Sequence, residues 1–344
     1  MMNKSAVLLI YTGGTIGMKT DPELGALCPF DFSQIIREVP EISKFACRID
    51  SIAFDPLIDS SDIEPLLWEK LALIIRDKYD DYDGFVVLHG TDTMSYTASA
   101  LSFMLKNLSK PVILTGSQLP IGAPRTDGKE NLVSSVEIAA AKRPDGSAMV
   151  PEVAIFFGSR LMRGNRSTKA NAESFEAFQS PNLPALAEAG ISIRYNDSII
   201  LKPSEAPLEV YTALDTRVSI LKIHPGITPG VVRNILLGAD TPAVIIETYG
   251  SGNAPTKPWF LDIVRQAASA GKVLVSVTQC LAGTVNMDLY ATGKGLKEAG
   301  VLSGYDSTTE AMLAKLFYLF GSGRSKEDIK SALGRSMRGE ITVI

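Results

Sequence analysis

The chain has 344 residues, 45% hydrophobic and 21% charged, with a formal net charge of −4 and Lys and Arg spread along its length. That balance excludes large-scale disorder, gives no basic footprint for nucleic acid, and leaves room for two domains with a sizeable core. Cys28, Cys47 and Cys280 are too few and too widely spaced for a disulfide framework, and two histidines without C-x-x-C or H-E-x-x-H argue against a metal site.

Ala6–Ile10 is a continuous apolar run that reads as a buried parallel strand. It is too short for a membrane span or a secretory core, so the chain reads as cytoplasmic with no membrane partner. Thr12-Gly-Gly-Thr15 follows as a tight turn, where glycine backbone can approach a ligand closely. Thr15 is therefore a candidate nucleophile, although Gly-Gly after a strand is as often only a turn. Neither a G-x-G-x-x-G nor a G-x-x-x-x-G-K-[ST] pattern is present, which demotes phosphate binding.

Gly17–Pro29 reads as a mobile loop and Asp31–Glu38 as a short helix. Ser61 or Asp62 is placed to cap an amphipathic helix over Ile63–Tyr79, with Pro65 in its first turn and Leu67, Leu71, Ile74 and Ile75 on one face. Gly84–Leu88 reads as a second buried strand ending in His89-Gly-Thr-Asp-Thr93, with a helix over Ser95–Leu108. His89 reads equally well as a packed strand residue or a base. Pro111–Gln118 repeats the strand-and-turn pattern, followed by a helix at Gly128–Lys142 and a strand at Val153–Phe157.

Arg160–Ala170 is polar and basic, which normally marks a solvated face, yet Lys169 beside two hydroxyl residues is placed to enter a site as a base. Pro181–Thr216 has weak periodicity and several prolines. Residues 1–190 thus read as an N-terminal α/β catalytic domain with a doubly wound sheet, 191–216 as a linker and 217–344 as a smaller C-terminal parallel α/β domain. The second set comprises strands Val218–Ile223, Ala243–Glu247 and Val273–Val277 and helices Pro229–Leu237, Pro258–Ala270, Glu310–Phe320 and Lys326–Leu333.

Two hydroxyl-rich turns at the carboxyl ends of neighbouring parallel strands open on one crevice. Thr15 or Thr91 can attack a carbonyl with Lys169 as base and Asp92 holding the lysine, a triad by role without histidine. The glycine-turn N–H groups suit an oxyanion. Asp92 suits a substrate ammonium, and Ser60 with the N–H groups near Ser61 suits a carboxylate. These residues point to amide or ester hydrolysis. The competing reading is a threonine-rich crevice that binds a small ligand without chemistry.

Tyr11–Met18, Asp59–Asp62, Leu88–Met94, Thr115–Gln118, Arg163–Lys169, Tyr249–Pro255 and Thr278–Cys280, in this order, resemble the motifs of the L-asparaginases, in particular the cytosolic bacterial type I group. The resemblance implies an asparagine amidohydrolase without metal or organic cofactor. It makes Thr15 the nucleophile, Thr91, Asp92 and Lys169 a second triad, and Ser60, Ser61, Thr91, Asp92, Ser117 and Asn253 the substrate-binding residues. It also implies a homodimer or dimer of dimers, with Asn253 supplied to the site of a partner subunit. A glutaminase-asparaginase and a silent amino-acid sensor are the alternatives.

Two positions depart from the family pattern. Gly25-Ala26-Leu27 stands where many members carry a loop tyrosine, which leaves Tyr290 as a candidate substitute or implies a different loop closure. Glu247 stands where effector-activated members carry arginine, which argues against that kind of activation although Thr168 and Cys280 are retained.

Overall fold

The computed structural model describes residues 5–20, 27–29, 37–238 and 240–343. It divides into two compact units, one up to Thr212 and one from Ala213. Each has its own sheet.

The first unit is built on strands β1 (Ala6–Tyr11), β2 (Arg48–Ala53), β3 (Gly84–Leu88), β4 (Val112–Thr115), β5 (Val153–Phe157), β6 (Arg160–Arg163), β7 (Ala187–Ala189) and β8 (Ile193–Tyr195). Their order in the sheet is β8-β7-β6-β5-β4-β3-β1-β2. The five strands from β2 to β5 are parallel, and β6, β7 and β8 extend the sheet antiparallel. Every residue of β1, β3, β4 and β5 is buried, which is why they read as unbroken apolar runs. The chain passes from β2 across β1 to β3, so the connections leave β1 and β3 in opposite directions. At such a reversal the carboxyl ends of the two strands diverge and leave a crevice.

Helices α1 (Pro65–Asp77), α2 (Met94–Met104) and α3 (Gly128–Ala140) belong to this unit. α1 buries Leu67, Trp68, Leu71, Ala72 and Ile75. The expected cap at Ser61 or Asp62 is not formed. Ser60–Asp62 makes its own 3-10 turn, capped by Asp59, and α1 starts later with Pro65 in its first turn. α2 stops at Met104, short of the expected Leu108, because Leu105–Lys106 pairs antiparallel with Glu209–Val210 and Asn107 takes φ 64°. Met18–Thr20 pairs antiparallel with Leu27–Pro29. The rest of the expected Gly17–Pro29 loop, and most of the expected Asp31–Glu38 helix, lie outside the described residues.

The basic stretch after β5 is not a solvated face. Arg163, Asn165, Arg166 and Ser167 are buried. Arg163 pairs with Glu152 at 2.5 Å and donates to Ile199 O at 2.7 Å, and Arg166 donates to Asn182 O at 3.0 Å. Buried guanidinium groups require such partners, and sequence spacing did not show them.

The second unit holds strands β9 (Val218–Lys222), β10 (Ala243–Thr248), β11 (Val273–Thr278) and β12 (Leu302–Ser303), in that order and all parallel. Its helices are α4 (Pro229–Arg233), continued by a π turn over Asn234–Gly238, α5 (Pro258–Ser269), α6 (Ala291–Glu298), α7 (Thr309–Gly321) and α8 (Lys326–Leu333). The strands follow one another without reversal, so this sheet has no switch point of its own. α6 was not expected from the sequence, because Gly293 and Gly295 lower its helix propensity and Leu296 is its one large apolar residue buried within the helix. Among the described residues no helix is long and apolar enough to cross a membrane.

Candidate active site

Three loops meet at the reversal between β1 and β3. A Cβ on Gly14, at φ +94°, would lie 2.5 Å from the Cα and N of Gly90, and one on Gly90 would lie 2.5 Å from Ser60 Oγ. A Cβ on Gly13 would run into Ile58 O. The glycines therefore bring the Thr15 turn and the Ser60 side chain into contact with the turn that carries Thr91. Half-buried Thr15 opens the short 3-10 turn Thr15–Gly17.

Ser60 holds the β3 turn from one side. Its Oγ accepts the Asp92 N–H at 3.2 Å, and its carbonyl accepts the Thr93 hydroxyl at 2.6 Å. The Ser61 N–H and hydroxyl both donate to Asp59 Oδ1 at 2.8 Å. Those bonds, the backbone one foremost, hold the Asp59 carboxyl below its usual pKa.

His89 holds the same turn from beneath. It is fully buried, its Nδ1 is 2.6 Å from Gly90 O, and its Nε2 is 2.9 Å from Thr97 Oγ1, which also accepts Trp68 Nε1–H at 2.9 Å. A carbonyl only accepts, so Nδ1 carries the proton, Nε2 accepts from Thr97, and the ring is neutral. Burial lowers the His89 pKa to about 4. The donor chain Trp68–Thr97–His89–Gly90 links α1 and α2 to the turn that carries Thr91. His89 is thus a packed support, and Trp68 and Thr97 are partners that the sequence reading missed.

Lys169 arrives from the buried basic stretch. The short strand Thr168–Lys169 pairs antiparallel with Phe178–Gln179, which fixes its backbone. Its Nζ lies 2.9 Å from Thr91 Oγ1 and 2.6 Å from Asp92 Oδ1, with the lysine side chain 20% and the aspartate 61% exposed. Gly164 makes the approach possible, since a Cβ there would be 3.0 Å from Ala98 Cβ on α2.

Ser117 is buried at the end of β4 and donates to Leu119 O at 2.6 Å. Its loop packs under the Thr15 turn through Ile121 N–H and Ile16 O at 3.2 Å. Asp127, another support missed in the sequence, accepts the N–H groups of Gln118 and Leu119.

In the second unit, Asn253 closes the Tyr249–Asn253 turn, and Tyr290, 58% exposed, precedes the first residue of α6 and makes no side-chain capping bond to it. Glu247 accepts from Thr309 Oγ1 at 2.9 Å and faces Lys222 Nζ at 3.4 Å. Cys280 is exposed, and its N–H donates to Thr278 Oγ1 at 3.0 Å. Thr168 is half-buried on the strand of Lys169. Among the described residues no group of three or more His, Cys, Asp or Glu is placed to hold a metal ion.

Fold and site together define an α/β protein that gathers hydroxyls, a lysine and a carboxylate at a strand reversal. Residues 6–201 match the family described as Asparaginase, N-terminal, and residues 217–333 match the Glutaminase/Asparaginase C-terminal domain. L-asparaginase 1 of Escherichia coli K12 is 45% identical, over 99% of both chains. The human 60 kDa lysophospholipase is 43% identical over 98% of this chain, which spans 61% of that protein. The crystal structure of L-asparaginase I from Vibrio cholerae O1 superposes with a TM-score of 0.89 at 43% identity, over 98% of this chain and 99% of that one. The chain belongs to the asparaginase family.

Proposed function

We propose that the protein is a cytoplasmic L-asparaginase that converts L-asparagine and water to L-aspartate and ammonia, with Thr15 as nucleophile and Thr91, Asp92 and Lys169 handling protons. The observation that carries this reading is Lys169 Nζ, 2.9 Å from Thr91 Oγ1 and 2.6 Å from Asp92 Oδ1, behind a turn in contact with the one that bears Thr15. The names of the E. coli and V. cholerae relatives support the substrate.

A threonine hydroxyl attacks only as a base removes its proton. In this scheme Thr15 Oγ1 bonds to the side-chain amide carbon, the carbon–nitrogen bond breaks, ammonia leaves with the proton, and an ester to Thr15 remains. Water then adds to that ester, releasing aspartate and restoring the hydroxyl. Thr91 takes the proton of the attacking oxygen while its own passes to Lys169, the base of this scheme. Lys169 Nζ lies within hydrogen-bond reach of Thr91 Oγ1 at 2.9 Å. Asp92 holds the lysine and offers its exposed oxygen to the substrate ammonium, and Ser60, Ser61 and Ser117 shape the carboxylate end.

The same reading makes the working form a homodimer or a homotetramer, in which Asn253 serves a partner subunit's site and Tyr290 assists Thr15 there. Ammonia release measured with L-asparagine and L-glutamine in parallel tests the reading. Release selective for asparagine, lost in Thr15→Ala and Lys169→Met, is the expected result. Full release by either variant removes the catalytic assignment, equal turnover of both amides makes the protein a glutaminase-asparaginase, and release from neither leaves an amino-acid sensor.

A further inference from the structure

The backbone of Asn253 is clamped in both directions. Its N–H donates to Tyr249 O at 2.8 Å, and its carbonyl accepts Tyr249 N–H at 2.9 Å. Gly250 at φ +46° and Gly252 at φ +108° allow so tight a turn. The turn is pressed against the segment before α6, because a Cβ on Gly252 would lie 2.9 Å from Met287 Cγ, and Asn286 N–H donates to Ser251 O at 2.9 Å. Only the two side-chain torsions of Asn253 remain to be set.

Thr292, in the first turn of α6, sets them. Its Oγ1 donates to Asn253 Oδ1 at 2.6 Å, within a half-buried contact. That bond fixes the torsions of the amide. Without the hydroxyl, the amide is free to turn.

We infer that Thr292 is a positioning residue that holds the Asn253 amide in the orientation used for substrate binding. This rests on the proposed role of Asn253 in substrate binding. The same helix start carries Tyr290 two residues earlier.

The test is steady-state ammonia release by Thr292→Val, Thr292→Ser, Asn253→Ala and the Val/Ala double variant, each checked by thermal melting. Thr292→Val should raise KM about 3- to 10-fold, the span expected for losing one hydrogen bond, with a smaller change in kcat. Thr292→Ser should restore KM, and Thr292→Val should add nothing once Asn253 is alanine. A wild-type KM in Thr292→Val, or a Val effect that persists in the Asn253→Ala background, overturns the inference while leaving the Asn253 reading in place. A wild-type KM in Asn253→Ala removes the Asn253 reading and the inference with it.

Discussion

Gly14 and Gly90 meet backbone to backbone, with space for no Cβ at Gly14. Two separate costs are combined there, a positive φ and a clash, and Gly146 separates them. Gly146 has φ +87° with nothing within 4 Å of a built Cβ. Gly146→Ala should therefore show the backbone strain alone, about 1–3 kcal/mol. Gly14→Ala should cost more in urea unfolding and should also abolish ammonia release, because it pushes the Thr15 and Thr91 turns apart. Equal stability loss in the two variants would mean that the contact contributes nothing.

Lys169 bridges a threonine and an aspartate while remaining partly exposed. A partly exposed contact between a lysine and a carboxylate contributes little to stability, whereas a positioned base is worth about 100- to 10,000-fold in rate. Lys169→Met should thus lower kcat by that factor and shift the melting temperature only slightly. A large melting shift with near-normal kcat would make Lys169 a structural residue.

His89 makes the stability of the protein pH-dependent. Its pKa in the folded protein is about 4, against an ordinary value of 6.5, because burial disfavours the charged ring. Between these values the unfolded chain binds more protons than the folded one. The contribution of His89 is therefore fully present above about pH 6.5 and declines as pH falls toward 4, by about 3 kcal/mol in all. Urea midpoints of wild type and His89→Gln, compared from pH 7 to pH 4, should converge as the pH falls. A constant difference across that range would count against the neutral, buried ring.

Much of this arrangement was legible in the sequence for simple reasons. Gly84–Leu88 and Val153–Phe157 were expected with the bounds observed, since strands covered on both faces have no polar positions to blur them. The Thr15, Thr91 and Asp92 turns follow from such strands, because parallel strands present their turns on one edge. Arg163 and Arg166 were misread as solvated because Glu152, Ile199 O and Asn182 O, which make their burial possible, are remote in sequence. Thr97 and Trp68 lay on helices whose apolar pattern gave no hint of a polar chain. Thr292 sat in a glycine-broken stretch that did not read as a helix at all.

Lys315 and Glu340 form a pair 2.6 Å apart with both side chains wholly buried. Glu340 also accepts the N–H groups of Met337 and Arg338, and Lys315 donates to Arg335 O at 2.7 Å. The pair fastens the final residues to α7. Burial pulls the Lys315 pKa down against the opposing pull of Glu340. Removing one partner leaves an uncompensated buried charge, so Glu340→Ala should cost about 3–5 kcal/mol, and Lys315→Met with Glu340→Leu should cost less than the single change. Urea unfolding of the three proteins checks this order.

Glu247 bears on how the rate responds to substrate. Its carboxylate is 15% exposed, accepts the Thr309 hydroxyl and faces Lys222 across 3.4 Å. A second asparagine bound nearby would bring its own carboxylate toward this one. Activation requires that the effector bind one state more tightly than another, and a repelled ligand has no such preference to offer. The rate should therefore rise hyperbolically with L-asparagine, and Glu247→Gln should leave the curve hyperbolic. A sigmoidal curve in the wild type, made hyperbolic by Glu247→Gln, would show that Glu247 takes part in an effector response after all.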